Sequence, residues 1–97
     1  MYITIAIHHP KGPAEEHTLL GAMKKFGLAQ RGHKGLMLVT AAKDELGGSI
    51  MALAIWDSKE NFQAARGDMV KTLEGVDFDA LEDVPRKLYF GEPVLWV

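Results

Sequence analysis

Two adjacent histidines, His8 and His9, stand where an apolar segment ends and a stretch rich in proline and glycine begins. Histidine can accept and return a proton near neutral pH, and it can also bind a metal ion. Neighbouring residues of a strand point to opposite faces, so this pair cannot easily share one ion. The pair is therefore consistent with one proton-transfer residue or with two side chains that end a strand, and we predict no metal site.

Two charged residues fall on helix faces that are otherwise apolar. Arg66 lies between Phe62 and Met69 in such a pattern, where a guanidinium needs a carboxylate, a carbonyl or a bound anion. It could hold an anionic substrate, snorkel to solvent, or pair with an acid such as Glu16. Glu16 projects near the middle of the apolar stripe of an earlier helix. It is either an inward acid at the mouth of a pocket or a first-turn acid that complements the helix dipole.

Several large apolar residues are candidates for the walls of a substrate pocket. Trp56 and Tyr89 lie at strand ends and could form an aromatic slot, although aromatics at such positions also serve cores and interfaces. Phe62 and Met69 could complete the wall, since methionine gives an adaptable surface, but methionine is also routine core filler. The sequence contains no cysteine, glycine-rich phosphate loop, nucleophile elbow or zinc spacing. The apolar and aromatic candidate residues therefore favour a small apolar or aromatic ligand.

Length and composition limit the classes of protein that the chain can be. Its 97 residues suit a single domain covering 1–97, and its hydrophobic share of 47% is that of a globular protein. A net charge of −2 and a pI near 6.0 offer no attraction for nucleic acid or anionic lipid. No apolar run is long enough to cross a membrane. We therefore predict a cytoplasmic protein with neither nucleic acid nor membrane as a partner.

The hydrophobic periodicity predicts four strands and two helices in the order βαββαβ. The first helix starts at Pro13 because proline suits the first helical position. The second is capped by Asp57 or Ser58, with Glu60 completing a capping box. The predicted strands cover Tyr2–His8, Leu36–Ala42, Ile50–Trp56 and Lys87–Phe90, the first helix runs to about Gln30, the second ends near Gly75, and a short turn covers Phe78 to Asp83.

This order is the ferredoxin-like arrangement, an α+β fold in which an antiparallel four-stranded sheet carries two helices on one face. The two middle strands are apolar at both parities, whereas a sheet with one covered face should alternate apolar and polar residues. We therefore predict a homodimer formed through the bare sheet face. The apolar tail Pro93–Val97, which includes Trp96, is predicted to join that interface.

The sequence resembles the antibiotic-biosynthesis-monooxygenase-like proteins over almost its whole length. The resemblance lies in Ile55-Trp56 followed by Asp57–Phe62, in Gly47-Gly48, and in the closing segment Lys87–Leu95, which is similar to the ending of a subgroup of short monooxygenase-like members. It implies a dimeric α+β barrel of two ferredoxin-like sheets packed face to face. It also implies a pocket between helices and sheet that binds a flat, acidic aromatic and oxidises it with dioxygen, without metal, flavin or other cofactor.

Such a reaction requires a dry pocket, a base and a donor facing the developing oxyanion. If the isoleucines of the first strand face the helices, His9 lies at the mouth of the pocket and is the predicted base, while His8 faces the barrel interior. Arg66 is the predicted anchor of the substrate oxyanion. Many members carry a histidine or an aromatic residue at the position of Ala65 and a histidine at the position of Val70, both facing the pocket.

Three functions remain open on this reasoning. The first is a cofactor-independent monooxygenase, and the second is a non-catalytic small-molecule-binding or stress-related homodimer, which Ala65 and Val70 favour. The third is an isomerase or lyase that forms the same enolate without using oxygen. Haem degradation through a histidine of the second helix is not expected, because no histidine follows His33.

Overall fold

A computed structural model describes residues 1–96 and contains one antiparallel four-stranded sheet. The predicted ferredoxin-like α+β fold is confirmed, and Val97, the last residue of the predicted interface tail, lies outside the described residues. No helix within residues 1–96 has both the length and the apolar character needed to span a membrane. In chain order the elements are β1 (Tyr2–His8), α1 (Pro13–Gln30), β2 (Leu36–Lys43), β3 (Ile50–Trp56), α2 (Lys59–Lys71), α3 (Phe78–Leu81) and β4 (Lys87–Gly91).

The start of α2 follows from a local cap. The Ser58 hydroxyl accepts a hydrogen bond from the backbone N–H of Asn61 at 3.1 Å, so Ser58 is the N-cap. The third helical position belongs to Asn61 and not to Glu60, and its side-chain amide donates to the Asp57 carboxylate at 2.8 Å. The predicted capping box through Glu60 is therefore wrong, because Glu60 lies one residue too early.

The end of α2 comes earlier than the apolar pattern predicts. The helix stops at Lys71, and the Thr72 hydroxyl donates to the Met69 carbonyl at 2.7 Å. Gly75 adopts a φ of +80°, a conformation that reverses the chain and that glycine adopts without steric cost. The following segment, predicted as a turn, forms the four-residue helix α3, whose N-cap Asp77 accepts a hydrogen bond from the Ala80 N–H at 3.2 Å.

The sheet has the strand order β2-β3-β1-β4, so β1 lies in the interior between β3 and β4. Tyr2 pairs with Trp56 and packs against Phe62 of α2 at 5.2 Å between ring centroids. Residues of β1 with the parity of Tyr2 therefore face the helices, and His8 is one of them. The premise that the isoleucines of this strand face the helices is wrong, because Ile5 and its neighbours of the same parity occupy the opposite face.

The main core lies between this face of the sheet and the helices. Trp56 is fully buried and meets Phe62 edge-on, at 6.0 Å between centroids. Apolar residues from both long helices pack on the same side of the sheet, as the fold requires. The core cluster consists of Tyr2, Ala54, Trp56, Phe62, Ala65 and Met69, with Phe26, Leu36 and Val39 packed against it.

The opposite side of the sheet, which we call the outer sheet face, is also apolar. The strand register places Ile5 between Leu53 of β3 and Tyr89 of β4 on this face. Leu38, Met51 and Tyr89 are each exposed in the single chain. The residues that share this face are Ile3, Ile5, Ile7, Leu38, Thr40, Ala42, Met51, Leu53, Ile55 and Tyr89.

Candidate functional site

A cavity of about 670 Å³ lies between α1, α2 and the helix-facing side of the sheet, and we call it the helix-side cavity. Its volume falls within the range of about 300 to 1,000 Å³ typical of small-molecule sites. Most of its lining is apolar, and the two helices leave it open to solvent over the edge strand β4, where Leu88 and Phe90 are exposed. The apolar side chains that line it include Leu20, Met23, Phe26, Phe62, Met69, Leu73, Leu88 and Phe90.

The helix-side cavity extends along β1 from Thr4 to His8. Thr4 pairs with Phe90, and the Phe90 ring lies 5.9 Å from that of Phe62, so aromatic side chains form one end. His8 and Arg86 lie at the other end. Thr4 and His8 are four steps apart along the strand, which is about 13 Å, so the site is elongated in this direction.

The charged groups around the helix-side cavity are all cationic. Lys24, Arg31, Arg66 and Arg86 line it, and within residues 1–96 no aspartate or glutamate does. None of these four side chains forms an ion pair with a described residue. Such side chains can donate charge-assisted hydrogen bonds to an anion, although the chain as a whole has a net charge of −2.

Arg66 lies on α2 at the solvent-exposed rim of the helix-side cavity. Pairing with Glu16, an alternative role for this arginine, does not occur, because the Glu16 carboxylate binds the Lys43 ammonium at 2.8 Å. That ion pair joins the first turn of α1 to the end of β2 and lies outside the lining. Arg66 thus borders the helix-side cavity, whereas Glu16 does not.

His8 is the histidine that lines the helix-side cavity, and its side chain is almost completely buried. Its Nδ1 atom lies 3.2 Å from Oε2 of Glu82. The other carboxylate oxygen of Glu82 accepts a hydrogen bond from the backbone N–H of His9 at 2.9 Å. The imidazole stacks on Phe78 of α3 at 6.2 Å between centroids. The Arg86 guanidinium lies 4.1 Å from the centre of that ring.

The segment around α3 carries these partners to the end of β1. The backbone N–H of Asp83 donates to the His9 carbonyl at 2.9 Å, and that of Lys11 donates to the Leu81 carbonyl at 2.9 Å. Glu82 is therefore held beside His8 by backbone hydrogen bonds on both sides. No sequence motif marks Glu82 or Phe78 as site residues, because 74 residues separate His8 from Glu82.

Besides Glu16, three of the predicted site residues do not line the helix-side cavity. His9 follows the last residue of β1, and its backbone rather than its side chain takes part in the network described above. Trp56 is buried in the core behind Phe62. Tyr89 lies on the outer sheet face, opposite Ile5 in the register. Phe62 and Met69 line the cavity.

Two buried polar atoms have no hydrogen-bond partner among the described residues. They are Oε1 of Gln30 and Nε1 of Trp56. Gln30 is the last residue of α1, is nearly inaccessible to solvent, and lines the helix-side cavity. Its amide therefore adds hydrogen-bonding capacity to the apolar wall. No three His, Cys, Asp or Glu side chains within residues 1–96 are grouped closely enough to share a metal ion.

Comparison with known proteins identifies the fold. No family model and no curated protein matches the sequence. Among solved structures, Rv0793 from Mycobacterium tuberculosis superposes with a TM-score of 0.81 at 15% identity, over 98% of this chain and 96% of that one. SnoaB, a cofactor-independent oxygenase from Streptomyces nogalater, superposes with a TM-score of 0.77 at 12% identity, over 99% and 95%.

A third match is the monooxygenase ActVA-Orf6 of Streptomyces coelicolor, whose structure contains the ligand Nanaomycin D. It superposes with a TM-score of 0.74 at 20% identity, over 99% of this chain and 89% of that one. A structure named simply antibiotic biosynthesis monooxygenase matches with a TM-score of 0.75. This chain therefore has the fold of the antibiotic biosynthesis monooxygenases, as the sequence resemblance implies for the single chain.

Proposed function

We propose that this protein binds a planar, anionic aromatic molecule in the helix-side cavity and oxidises it with dioxygen, without metal or flavin. The observation that carries the proposal is an apolar cavity of about 670 Å³ whose only charged lining groups, among residues 1–96, are cationic. A phenolate or enolate placed there is stabilised by charge-assisted hydrogen bonds at the rim and sheltered from water along the wall. The shared fold with named monooxygenases supports the same reaction class.

The reaction that suits such a site is the oxidation of an anthrone-like phenol. Loss of a proton gives an electron-rich anion, whose ring carbon forms a bond to dioxygen and yields a hydroperoxide after protonation. Cleavage of the O–O bond then releases water as the carbon loses its remaining hydrogen. One oxygen atom ends in the quinone and the other in water, and no external reductant is consumed. The protein contributes binding, charge stabilisation and proton transfer.

Oxygen consumption tests this function directly. With 1,8-dihydroxyanthrone as substrate, we expect oxygen uptake above the protein-free rate, one oxygen molecule per quinone, and no dependence on chelators or added flavin. Binding of the substrate without faster oxygen uptake would favour the non-catalytic alternative. That alternative is supported by the buried Ala65 and by Val70, neither of which offers a polar group at the cavity. A changed product without oxygen uptake would indicate an isomerase or lyase.

Arg66 provides the sharpest test of anion recognition. Replacing Arg66 with leucine is expected to weaken the binding of 2-hydroxyanthraquinone by about 1.5 to 3 kcal/mol, because a charge-assisted contact is lost. That change corresponds to an increase in Kd of about 10- to 150-fold. Lys71→Leu on the same helix is the matched control, since Lys71 is exposed and does not line the cavity. Equal weakening in both variants would show that only the overall charge of α2 matters.

The proposed assembly is a homodimer in which each copy contributes one α+β domain and covers the outer sheet face of the other. This face is continuous across all four strands and apolar at its centre, around Ile5. Isolated proteins seldom expose such a surface to water. The tail adds to it, because Leu95 and Trp96 are exposed in the single chain.

Removal of the tail is expected to disturb the dimer. Each large apolar side chain that becomes buried contributes roughly 1.5 to 3 kcal/mol. Truncation after Glu92 should therefore give monomers or aggregates in size-exclusion chromatography with light scattering. A truncated protein that remained a soluble dimer with an unchanged melting temperature would show that the tail is not part of the interface.

A further inference from the structure

We propose that His8 is the proton acceptor of the helix-side cavity and that Glu82 is its positioning residue. The inference rests on the proposed function, because it assigns the base for the acidic ligand bound there. It differs from the assignment that the sequence suggests, in which the neighbouring His9 has this role.

The first observation is that His8 and Glu82 form a buried pair at the wall of a cavity. His8 is 5% exposed and Glu82 is 4% exposed. Burying a carboxylate is unfavourable unless it is paired and hydrogen-bonded, so Glu82 needs its contacts with His8 and His9 to remain buried. A histidine beside a buried carboxylate, at the edge of a ligand-sized cavity, has the arrangement of an acid–base residue with its orienting partner.

The contacts of Glu82 fix which imidazole nitrogen remains for the ligand. Oε2 lies 3.2 Å from Nδ1 of His8, so a proton on Nδ1 is held towards the carboxylate. Oε1 is occupied by the backbone N–H of His9 at 2.9 Å, which prevents the carboxylate from turning away. The lone pair of a neutral imidazole is then on Nε2. His8 lines the helix-side cavity, so Nε2 is the nitrogen available to a bound phenol.

The ring itself is held in place by α3. Phe78 stacks on the imidazole with an interplanar angle of 25°, and the Arg86 guanidinium lies over Phe78 at 4.1 Å from its centroid. The backbone N–H of Glu82 donates to the Phe78 carbonyl at 2.9 Å, so the carboxylate and the stacking ring belong to one short hydrogen-bonded segment. Both partners of His8 therefore move together, and the imidazole keeps its orientation.

The proposed step is a single proton transfer. The O–H bond of the bound phenol breaks, its electron pair stays on the phenolate oxygen, and an N–H bond forms at Nε2 of His8. The imidazolium is stabilised by the Glu82 carboxylate. The phenolate is stabilised by the cationic side chains that line the cavity, of which Arg86 lies at the same end as His8. His9 does not have this position, because it follows the last residue of β1 and does not line the cavity.

The test uses 2-hydroxyanthraquinone, which cannot be oxidised further in this reaction and whose phenol and phenolate forms have different visible spectra. At neutral pH, wild-type protein is expected to bind it as the phenolate. His8→Gln should bind it as the phenol, and Glu82→Gln, which keeps an oxygen for the His9 N–H, should shift the bound spectrum in the same direction. His9→Gln should bind the phenolate, as wild type does. With 1,8-dihydroxyanthrone, His8→Gln should lower the rate of oxygen uptake by at least about 10²-fold.

The possible outcomes are distinguishable. If His8→Gln still binds the phenolate, or if His9→Gln alone binds the phenol, the assignment of the base is overturned while the ligand site stands. If wild type binds the dye as the phenol, no proton acceptor operates in the cavity and the inference is overturned. If wild type does not bind the dye at all, the proposed function falls and this inference with it. Far-ultraviolet circular dichroism of each variant identifies any loss of folding. If His8→Gln does not fold, the bound spectrum of Glu82→Gln tests the assignment instead.

Discussion

Replacement of Ile5 by lysine is expected to convert the proposed homodimer into monomers. Ile5 lies at the centre of the outer sheet face, between Leu53 and Tyr89 in the strand register. In a face-to-face dimer each copy would place one unpaired ammonium group in an apolar interface. An uncompensated buried charge costs about 3 to 5 kcal/mol, and the dimer would contain two. Sedimentation equilibrium over a range of concentrations measures the change in the dissociation constant.

A control for this prediction is available in the hairpin between β2 and β3. Leu46 is 97% exposed there, so Leu46→Lys adds the same charge without burying it. We expect Leu46→Lys to sediment as wild type does. Wild-type protein that sediments as a monomer would contradict the proposed dimer, and an Ile5→Lys variant that stays dimeric would place the interface elsewhere on the surface.

Replacement of Trp56 by alanine is expected to lower the free energy of unfolding by about 3 to 5 kcal/mol. Trp56 is fully buried and packs against Phe62, so its removal leaves a large gap between β3 and α2. The total stability of a domain is only about 5 to 15 kcal/mol, so this variant should be close to unfolding at room temperature. Urea titration followed by circular dichroism gives the measurement.

Leu46→Ala serves as the control for the same experiment, because its side chain makes almost no contact in the fold. Its free energy of unfolding should stay within about 0.5 kcal/mol of wild type. A small effect of Trp56→Ala would mean that the core closes over the missing ring. The unpartnered Nε1 of Trp56 reduces the expected loss, since its burial without a hydrogen bond is already unfavourable.

The sequence was sufficient for the features that depend on local interactions. Alternating residues predicted β1 and a short apolar run predicted β3, both with their observed ends, and Pro13 and the acidic first turn marked the start of α1. The cap at Ser58 could also be predicted, because it requires only the residues of one turn. The order of these elements then allowed the fold to be predicted, since short connections and antiparallel strands leave few alternatives.

Tertiary structure decided which face of β1 meets the helices, and therefore which histidine lines the helix-side cavity. Both parities of the middle strands are apolar, so the pattern that normally separates the two faces of a sheet is absent. If the other face of β1 met the helices, His9 would replace His8 at the cavity. In the observed register, Tyr89 of β4 lies opposite Ile5 and points away from the helices. The partners of His8 could not be predicted from the sequence either, because Glu82 and Phe78 come from a distant segment. Periodicity and capping depend on residues within a few positions of one another, whereas the site depends on contacts that form only when the chain has folded.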